Sequence, residues 1–284
     1  MAVFYNQAIL SYNNTVTSSN IVSGEIIEVI SASKTAVPGE YRANDVVTYI
    51  ISITNSGTTD VNNLTITDNL GEYTFETLTL VPLTYVEDSV RYFSDGVLQA
   101  APAVTAGAPL VISGINVPAD GNATVIYQAA VNQYAPLATG SEIVNEAVVS
   151  GTGVSDVTVT ETITAANDAF LTISKSLFPD SVAENGQLTY TFVIQNYGNT
   201  EAGTADNVAV TDTFNPILNP ISVEFDNIIK TISDDYTYDS TTGEFATVPG
   251  RITVPAATYT QDPDTGAWAI NPGVSVLTVT GTVQ

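Results

Sequence analysis

The chain has 284 residues, and its thirty acidic side chains outnumber six basic ones to give a formal charge of −24. That charge opposes binding to nucleic acid, where phosphate contacts dominate affinity, and to anionic membrane surfaces. The sequence contains no cysteine or histidine, which excludes disulfides, thiolate nucleophiles, the usual zinc sites and the commonest general base. We therefore expect no cofactor and no metal. Because no apolar run reaches the length of a membrane helix, we expect no membrane insertion either.

The first two dozen residues repeat a pattern from the middle of the chain. Phe4–Ser11 matches Ile143–Ser150, with Asn, Ala and Ser coinciding and the apolar positions corresponding one for one. Further on, Ser19–Glu25 echoes Ser155–Glu161. In the middle of the chain this pattern closes a domain, whereas at the N-terminus no domain precedes it. We therefore predict that residues 1–27 form a detached pair of strands.

The body of the chain is predicted to be all-β. It is rich in Thr, Val, Ile, Tyr, Asn and Gly, with apolar and polar residues alternating and little helical periodicity. Strands are predicted at 46–53, 64–68 and 124–131, the first of them ending at the turn Asn55-Ser56-Gly57. Short strands at regular spacing indicate a β-sandwich of the immunoglobulin-like kind.

The chain then repeats itself, which indicates two tandem copies of one sandwich. The matching segments are Ser33-Lys34 with Ser174-Lys175, Thr48-Tyr49 with Thr189-Tyr190, Asn55-Ser56-Gly57 with Asn196-Tyr197-Gly198, residues 63–68 with 207–212, and Gly121–Val131 with Gly273–Val283. We predict a complete immunoglobulin-like module at 28–165 and a second, incomplete module at 166–284.

The second copy differs from the first in two ways. It carries longer hairpins around residues 239–243 and 262–266, where turn sequences are flanked by strand-forming residues. It also reaches Gln284 without a counterpart of residues 143–163. We therefore expect the second module to lack its closing strands, while a matching pair of strands lies in residues 1–27.

The combination of a strand lysine, Thr-Tyr in an alternating strand, Asn-x-Gly, Val-Thr-Asp and Asn-x-Ala resembles a repeat family of bacterial surface proteins. These are immunoglobulin-like modules known as a conserved repeat of unknown function. The resemblance covers nearly the whole chain and implies a structural role in an appendage of a bacterial cell or spore surface, not an enzyme. No secretory or anchoring signal is visible, which hints at assembly inside a cell that later lyses, as spore appendages require.

The resemblance also implies a chemical site. Many such modules join a strand lysine to an asparagine through a spontaneous isopeptide bond, assisted by a buried acid. The candidate residues are Lys34, Asp68 and Asn145 within a subunit, and Lys175, Asp212 and Asn6 between subunits. The alternative is that both lysines are half-exposed residues paired with aspartate, and that both asparagines only satisfy backbone groups.

A sandwich that lacks a strand exposes an apolar groove and unpaired backbone edges, which a strand from another chain can complete. The residues expected to form the donor strand segment are Phe4, Tyr5, Asn6, Ala8, Leu10 and Ile21. Self-insertion is disfavoured because a linker of roughly ten residues spans at most about 35 Å. Donor and acceptor lie at opposite ends of the chain, so their contact repeats head to tail as an open fibre.

The expected partner is therefore another copy of the chain, with an anchor or tip protein as further candidates. The alternative is that the N-terminal arm is disordered or packs on its own surface. A second alternative function is a surface adhesin or glycan-binding module, whose sugar platform is formed by Trp268, Tyr236, Tyr238 and Tyr259. The purely structural interpretation of these aromatic residues is that they stack across hairpins.

Acidic residues give two weaker hypotheses. Asp234-Asp235 through Glu244 and the Asp262-Pro263-Asp264 segment could bind calcium, but their spacing does not fit an EF-hand loop. Paired acids for glycoside hydrolysis exist by number alone, and no spacing singles out one pair. We therefore expect no enzyme activity and interpret the acidity mainly as a solvated surface.

Overall fold

The chain is built almost entirely of β-strands in the computed structural model, which describes residues 2–26 and 28–284. The all-β fold predicted from the sequence is confirmed. Within the described residues, no helix is long and apolar enough to cross a bilayer. One short 3₁₀ helix spans Thr204–Asp206.

The strands follow one another along the whole chain. The N-terminal ones are β1 (Ala2–Asn6), β2 (Ile9–Tyr12), β3 (Thr15–Ser18) and β4 (Val22–Ile26). The next are β5 (Ile30–Val37), β6 (Glu40–Tyr41), β7 (Val46–Asn55), β8 (Val61–Asp68), β9 (Tyr73–Phe75), β10 (Leu78–Leu80), β11 (Leu83–Tyr85), β12 (Arg91–Ser94), β13 (Val97–Leu98), β14 (Ala103–Thr105), β15 (Leu110–Val117), β16 (Gly121–Val131), β17 (Glu142–Ser150) and β18 (Val157–Ala165). The last are β19 (Leu171–Phe178), β20 (Gln187–Asn196), β21 (Thr211–Thr213), β22 (Leu218–Phe225), β23 (Ile228–Ile229), β24 (Tyr236–Tyr238), β25 (Glu244–Thr247), β26 (Thr258–Gln261), β27 (Trp268–Asn271) and β28 (Gly273–Val283).

These strands belong to two compact units. Unit one comprises Met1–Gly39, Asn44–Asn132 and Ile143–Ile163. Unit two comprises Glu40–Ala43, Gln133–Glu142 and Thr164–Gln284.

Unit one is a β-sandwich with a continuous apolar core. One sheet has the strand order β13-β12-β16-β7-β5, and the other has β14-β15-β8-β17-β18. Alternation along each central strand sends every second side chain inward. The fully buried side chains of β7, β8 and β16 include Val47, Tyr49, Ile51, Ile53, Leu64, Ile66, Val125 and Tyr127.

Unit two repeats one of these sheets and changes the other. Its larger sheet has the order β19-β20-β28-β22-β23, in which β19, β20 and β28 follow the pairing of β5, β7 and β16. The rest is a three-stranded sheet, β21-β25-β24, and a separate hairpin, β26-β27. The two long hairpins predicted around residues 239–243 and 262–266 are therefore present, as β24-β25 and β26-β27.

The Asn-x-Gly turn is built in the same way in both units. The side-chain oxygens of Asn55 and Asn196 each accept the amide of the glycine two residues on, at 2.9 Å. Their amide nitrogens each donate to the carbonyl four residues on, at 2.8 and 2.7 Å. A Cβ on Gly198 would lie 2.1 Å from the Asp168 carbonyl, so no other residue fits there. The buried amide closes the turn, which explains why the motif recurs.

The N-terminal arm, residues 2–26, is a long β-hairpin. β1 pairs with β4 and β2 with β3, both antiparallel. The turn is formed by Asn13 and Asn14, whose φ angles of 44° and 60° fit a two-residue hairpin loop. Every side chain from Val3 to Ser23 is exposed, including many apolar ones. A lone two-stranded hairpin is marginally stable in water, so we expect further contacts to be needed to stabilise this arm.

A buried lysine site and its open counterpart

Four inward-facing side chains of unit one converge between its two sheets. Lys34 on β5 and Tyr127 on β16 belong to one sheet. Asp68 at the end of β8 and Asn145 on β17 belong to the other. Each occupies a buried position in the alternation of its strand, so the pleat directs all four into the core. The structure therefore brings together the three residues proposed from the sequence and adds a fourth.

Hydrogen bonds connect the four groups around one carboxylate oxygen. Lys34 Nζ donates to Asp68 Oδ2 at 2.7 Å and to the Asn145 main-chain carbonyl at 3.0 Å. The Tyr127 hydroxyl also donates to Asp68 Oδ2. The Asn145 side-chain nitrogen donates to the Tyr127 hydroxyl at 3.4 Å. The lysine and aspartate side chains are both 0% exposed, so water does not screen their interaction.

Burial controls the protonation of the site. Desolvation lowers the pKa of Lys34, although the negative charge of Asp68 acts in the opposite direction. Desolvation and the nearby Asp68 raise the pKa of Tyr127 well above its ordinary value of 10.0. A lowered lysine pKa makes the neutral, nucleophilic amine more accessible. A raised tyrosine pKa keeps the phenol protonated, as a proton donor.

Tyr127 was not among the residues predicted from the sequence. A signal was available, because Gly121–Val131 and Gly273–Val283 align without a gap, and Val279 then corresponds to Tyr127. The two copies therefore differ at this position, where unit one has a phenol and unit two a valine. Tyr127 also stacks on Tyr49 with ring centroids 5.4 Å apart, and Lys34 Nζ lies 5.0 Å from the Tyr49 centroid.

Unit two carries an open version of this site. Lys175 on β19 pairs with Asp212 on β21, as Lys34 pairs with Asp68. The Lys175 side chain is 40% exposed and that of Asp212 is 18% exposed. Lys175 Nζ also lies 4.4 Å from the ring centroid of Tyr190, the counterpart of Tyr49. The lysine and the acid are thus in place, but the wall that carries Asn145 in unit one has no equivalent among the described residues.

The strands around this open site show what is missing. β8 is flanked by β15 on one side and β17 on the other, whereas β21 pairs with β25 alone among the described strands. The inward side of β19 is uncovered, with Ile173 56% and Leu177 47% exposed. The matching positions on β5 are buried or half-buried. Unit two therefore presents a free strand edge beside an apolar face.

The six residues predicted for the donor strand segment lie on the arm or at its bends. All of them are exposed, with Phe4 at 50%, Tyr5 at 73%, Leu10 at 61% and Ile21 at 62%. Asn6 ends β1, and its side chain is exposed as well.

The aromatic side chains proposed as a sugar platform do not form one surface. Tyr236 is buried in the core of unit two against Phe245, so its assignment to a platform is wrong. The Tyr238 hydroxyl donates to the Leu218 carbonyl at 2.6 Å. The hydroxyl of Tyr259, on a different hairpin, donates to the Tyr197 carbonyl at 2.9 Å. Tyr236 and Tyr238 are two residues apart on β24, so alternation turns both toward the core of unit two, where Tyr236 is buried and Tyr238 half-buried.

The aspartates in the two hairpin turns of unit two accept hydrogen bonds from main-chain amides of their own turns. Asp239 Oδ1 accepts the amides of the two threonines that follow Ser240, and these bonds lower the pKa of Asp239. Asp262 accepts the amides of Asp264 and Thr265 in the same way, and its pKa is also lowered, chiefly by Thr265. Across residues 2–26 and 28–284, no three acidic side chains are grouped closely enough to hold a cation.

Comparisons with known proteins find only distant structural similarity. No family of known proteins matches the sequence, and no curated protein matches it. Among solved structures, the pilus backbone RrgB from Streptococcus pneumoniae is 10% identical, with a TM-score of 0.34 over 86% of this chain and 55% of that one. BcpA, the major pilin subunit of Bacillus cereus, is 12% identical, with a TM-score of 0.35 over 96% and 73%. The collagen adhesin of S. aureus is 12% identical, with a TM-score of 0.29 over 52% and 55%. The chain thus spans about half the length of the pneumococcal pilus backbone.

Proposed function

We propose that this chain is the structural subunit of an extracellular fibre on a bacterial cell or spore surface. Subunits join head to tail when the N-terminal arm of one copy completes unit two of the next. The observation that carries this proposal is the uncovered face of β19 beside the free edge of β21. Unit one fills the same place with β17 and β18, and the arm repeats the sequence pattern of those two strands.

The inward and outward positions of the arm fit this role. On β17 the buried residues are Ile143, Asn145, Ala147 and Val149, whereas Val144 is 50% exposed. The sequence match places Phe4, Asn6, Ala8 and Leu10 at those buried positions and Tyr5 at the exposed one. The inward set supplies two large apolar side chains, one small one and the amide.

The register of the donated strand follows from unit one. Ala147 lies opposite Asp68 in the β17-β8 pairing. Ala8 therefore lies opposite Asp212, which brings Asn6 to Lys175 as Asn145 is brought to Lys34. The junction between subunits copies the arrangement within one subunit.

Burial supplies the driving force for donation. Fully burying a large apolar side chain stabilises a fold by about 1.5–3 kcal/mol. Phe4, Leu10, Ile173 and Leu177 are about half exposed, at 50%, 61%, 56% and 47%. Covering these four contributes roughly 3–6 kcal/mol before the costs of association and ordering, and pairing the strand edges adds hydrogen bonds.

A covalent bond then locks each site. The lysine Nζ attacks the asparagine side-chain carbon, the bond from that carbon to Nδ2 breaks, and ammonia leaves, so that one amide replaces another. Lys34 and Asn145 react within each subunit, and Lys175 and Asn6 react between subunits. The fit of Lys34, Asp68 and Asn145 in a closed, apolar site supports the first bond. The open Lys175 site supports the second, because it holds the same lysine and acid, and the arm brings the amide that it lacks.

Electron microscopy of four purified chains tests strand donation. The full chain should form fibres, and a chain lacking residues 1–24 should remain monomeric. Phe4→Asp places a charge at an inward position and should abolish fibres. Tyr5→Asp places the same charge at the adjacent outward position and should leave them intact. Fibres from the truncated chain, or equal effects of the two aspartates, would refute donation.

A denaturing gel of boiled fibres tests the covalent lock separately. A ladder of multimers is expected for the full chain, and Lys175→Ala or Asn6→Ala should convert it to monomers while fibres still form before boiling. Fibres that dissolve entirely to monomers in the unmodified chain would show that the strands are held without a bond between subunits.

A further inference from the structure

The hydroxyl of Tyr127 lies between the acid and the amide of the closed site. It donates its hydrogen to Asp68 Oδ2. A phenol has one hydrogen and two acceptor positions, so its oxygen must accept from Asn145, and Asn145 Nδ2 does donate to it at 3.4 Å. Asn145 Oδ1 is buried without a hydrogen-bond partner among the described residues. The amide is therefore held by its nitrogen, the atom that leaves when an isopeptide bond forms.

The proposed bond needs a proton at that nitrogen. An amide nitrogen departs as ammonia only after it has gained a proton, and the lysine Nζ must lose protons over the same reaction. Asp68 contacts Lys34 Nζ directly at 2.7 Å, so it can accept the first proton from the ammonium. Its link to the leaving nitrogen runs through the Tyr127 hydroxyl.

We propose that Tyr127 is a catalytic residue of the bond within each subunit and relays a proton from Asp68 to the leaving nitrogen of Asn145. This proposal rests on the Lys34–Asn145 isopeptide bond proposed above.

The proton balance of the relay is complete without an added reagent. Asp68 takes a proton from the Lys34 ammonium, and the free amine attacks the Asn145 side-chain carbon. Tyr127 gives its hydroxyl proton to Nδ2 while it regains one from Asp68. The bond from carbon to Nδ2 breaks, ammonia leaves, and Asp68 takes the surplus proton from Nζ as the new amide forms. The raised pKa of Tyr127 agrees with a phenol that starts and ends the reaction protonated.

Unit two lacks this relay. Tyr190 corresponds to Tyr49, but its stacking partner is Phe214, with centroids 4.9 Å apart. A phenyl ring without a hydroxyl therefore takes the place beside Tyr190 that the Tyr127 ring takes beside Tyr49. Phe214 follows Asp212 by two positions, where unit one has Leu70, and Val279 replaces Tyr127. The bond between subunits should consequently form more slowly than the bond within a subunit.

Intact mass measured at intervals after cell-free synthesis of the full chain tests the relay. The unmodified chain should lose the mass of one ammonia from the Lys34 site. Tyr127→Phe should lose it on the order of a hundred-fold more slowly, since general acid catalysis of this kind contributes about 10²–10⁴-fold. Tyr92→Phe is the matched control, because Tyr92 is also a buried tyrosine of unit one whose hydroxyl donates to a carbonyl, that of Asn116, at 2.6 Å. It should react at the unmodified rate.

A gain-of-function variant provides a second test of the relay. The double variant Val279→Tyr with Phe214→Leu recreates the wall of unit one in unit two and should accelerate the boil-resistant ladder in fibres. This second test decides whether Tyr127 relays the proton if circular dichroism shows that Tyr127→Phe does not fold. A Tyr127→Phe chain that reacts as fast as Tyr92→Phe, or a double variant that assembles without any acceleration, overturns the relay. If the intact mass of the unmodified chain shows no loss of ammonia, the proposed bond is absent and the relay is refuted as well.

Discussion

Replacing the two strand lysines by methionine should have very different effects, although each lysine faces an aspartate. Methionine preserves most of the aliphatic chain and removes the charge. At Lys34 the change leaves Asp68 fully buried and uncompensated, which costs about 3–5 kcal/mol. At Lys175 the pair is 40% and 18% exposed, and such pairs contribute no more than about 1 kcal/mol.

Where the covalent bond has formed, the cross-link takes the place of the ion pair, because Lys34 Nζ is then an uncharged amide nitrogen and Asp68 holds a proton. Lys34 and Asn145 are separated by 111 residues, and a cross-link that closes a loop of this length stabilises a fold by about 5 kcal/mol. Asn145→Ala prevents the bond and leaves the Lys34–Asp68 ion pair in place, whereas Lys34→Met removes both. Comparing Asn145→Ala with Lys34→Met therefore separates the cross-link from the ion pair.

Urea unfolding of a chain lacking residues 1–24 measures these effects without interference from fibres. Trp268 is the single tryptophan and lies in unit two, so its fluorescence follows that unit, whereas circular dichroism follows both. With a urea slope of about 2 kcal/mol/M, Lys34→Met should lower the midpoint of unit one by roughly 2 M relative to Asn145→Ala, through loss of the ion pair. Lys175→Met should shift the midpoint of unit two by roughly 0.5 M or less. Equal shifts in the two units would contradict the burial argument.

Three further outcomes are expected. An amine-acylating reagent should modify Lys175 in the monomer but not in fibres, and Lys34 in neither, because only the monomeric Lys175 side chain is open to solvent. Peptide mass mapping measures which lysine is modified. Labelling of Lys175 in fibres would show that the N-terminal arm does not cover it. The folded pKa of Tyr127 is raised, so its stabilising contribution is complete below the unfolded value of 10.0 and is lost as pH rises above it. The free energy of unfolding of unit one should therefore fall above pH 10.0 in the unmodified chain, and Tyr127→Phe should reduce that fall. The titratable groups around the phenol are Asp68, Lys34 and Tyr49. Asn55→Ala and Asn196→Ala should each destabilise their own unit by about 1–3 kcal/mol, since each leaves buried turn groups unpaired, and a urea midpoint that does not move would contradict the role given to these turns.

Much of the buried site could be predicted because it depends on spacing along strands. Alternation fixed which side of its strand Lys34 faces, and the repeat of the same motif at Lys175 showed that the lysine and acid belong together. The Asn-x-Gly turns were recognisable for the same reason, since each is built within five consecutive residues, with the glycine third.

Tyr127 could not be found in this way, because its role depends on how two sheets stack. Its hydroxyl meets Asp68 across the core, and no spacing within one strand encodes that distance. Matching the two copies also drew attention to what they share, whereas Tyr127 and Val279 are a difference. Tyr236 was assigned wrongly for a related reason: in a short hairpin strand, only the packing of the core decides which face is turned inward, and here it is the face that carries Tyr236 and Tyr238.

The clamp formed by Lys34, Asp68 and Asn145 has a mechanical consequence. Lys34 lies on the first strand of the sandwich in unit one, and it contacts β8 and β17 of the other sheet. A pull on the two ends of this unit would load β5 and the closing strands first, as a shear of one sheet across the other. The lysine joins those loaded strands through the core, so tension passes directly from one sheet to the other and bypasses the hairpins between them. In a filament of such chains, unit one would resist stretching at this one point, and the loops between its strands would carry little of the force.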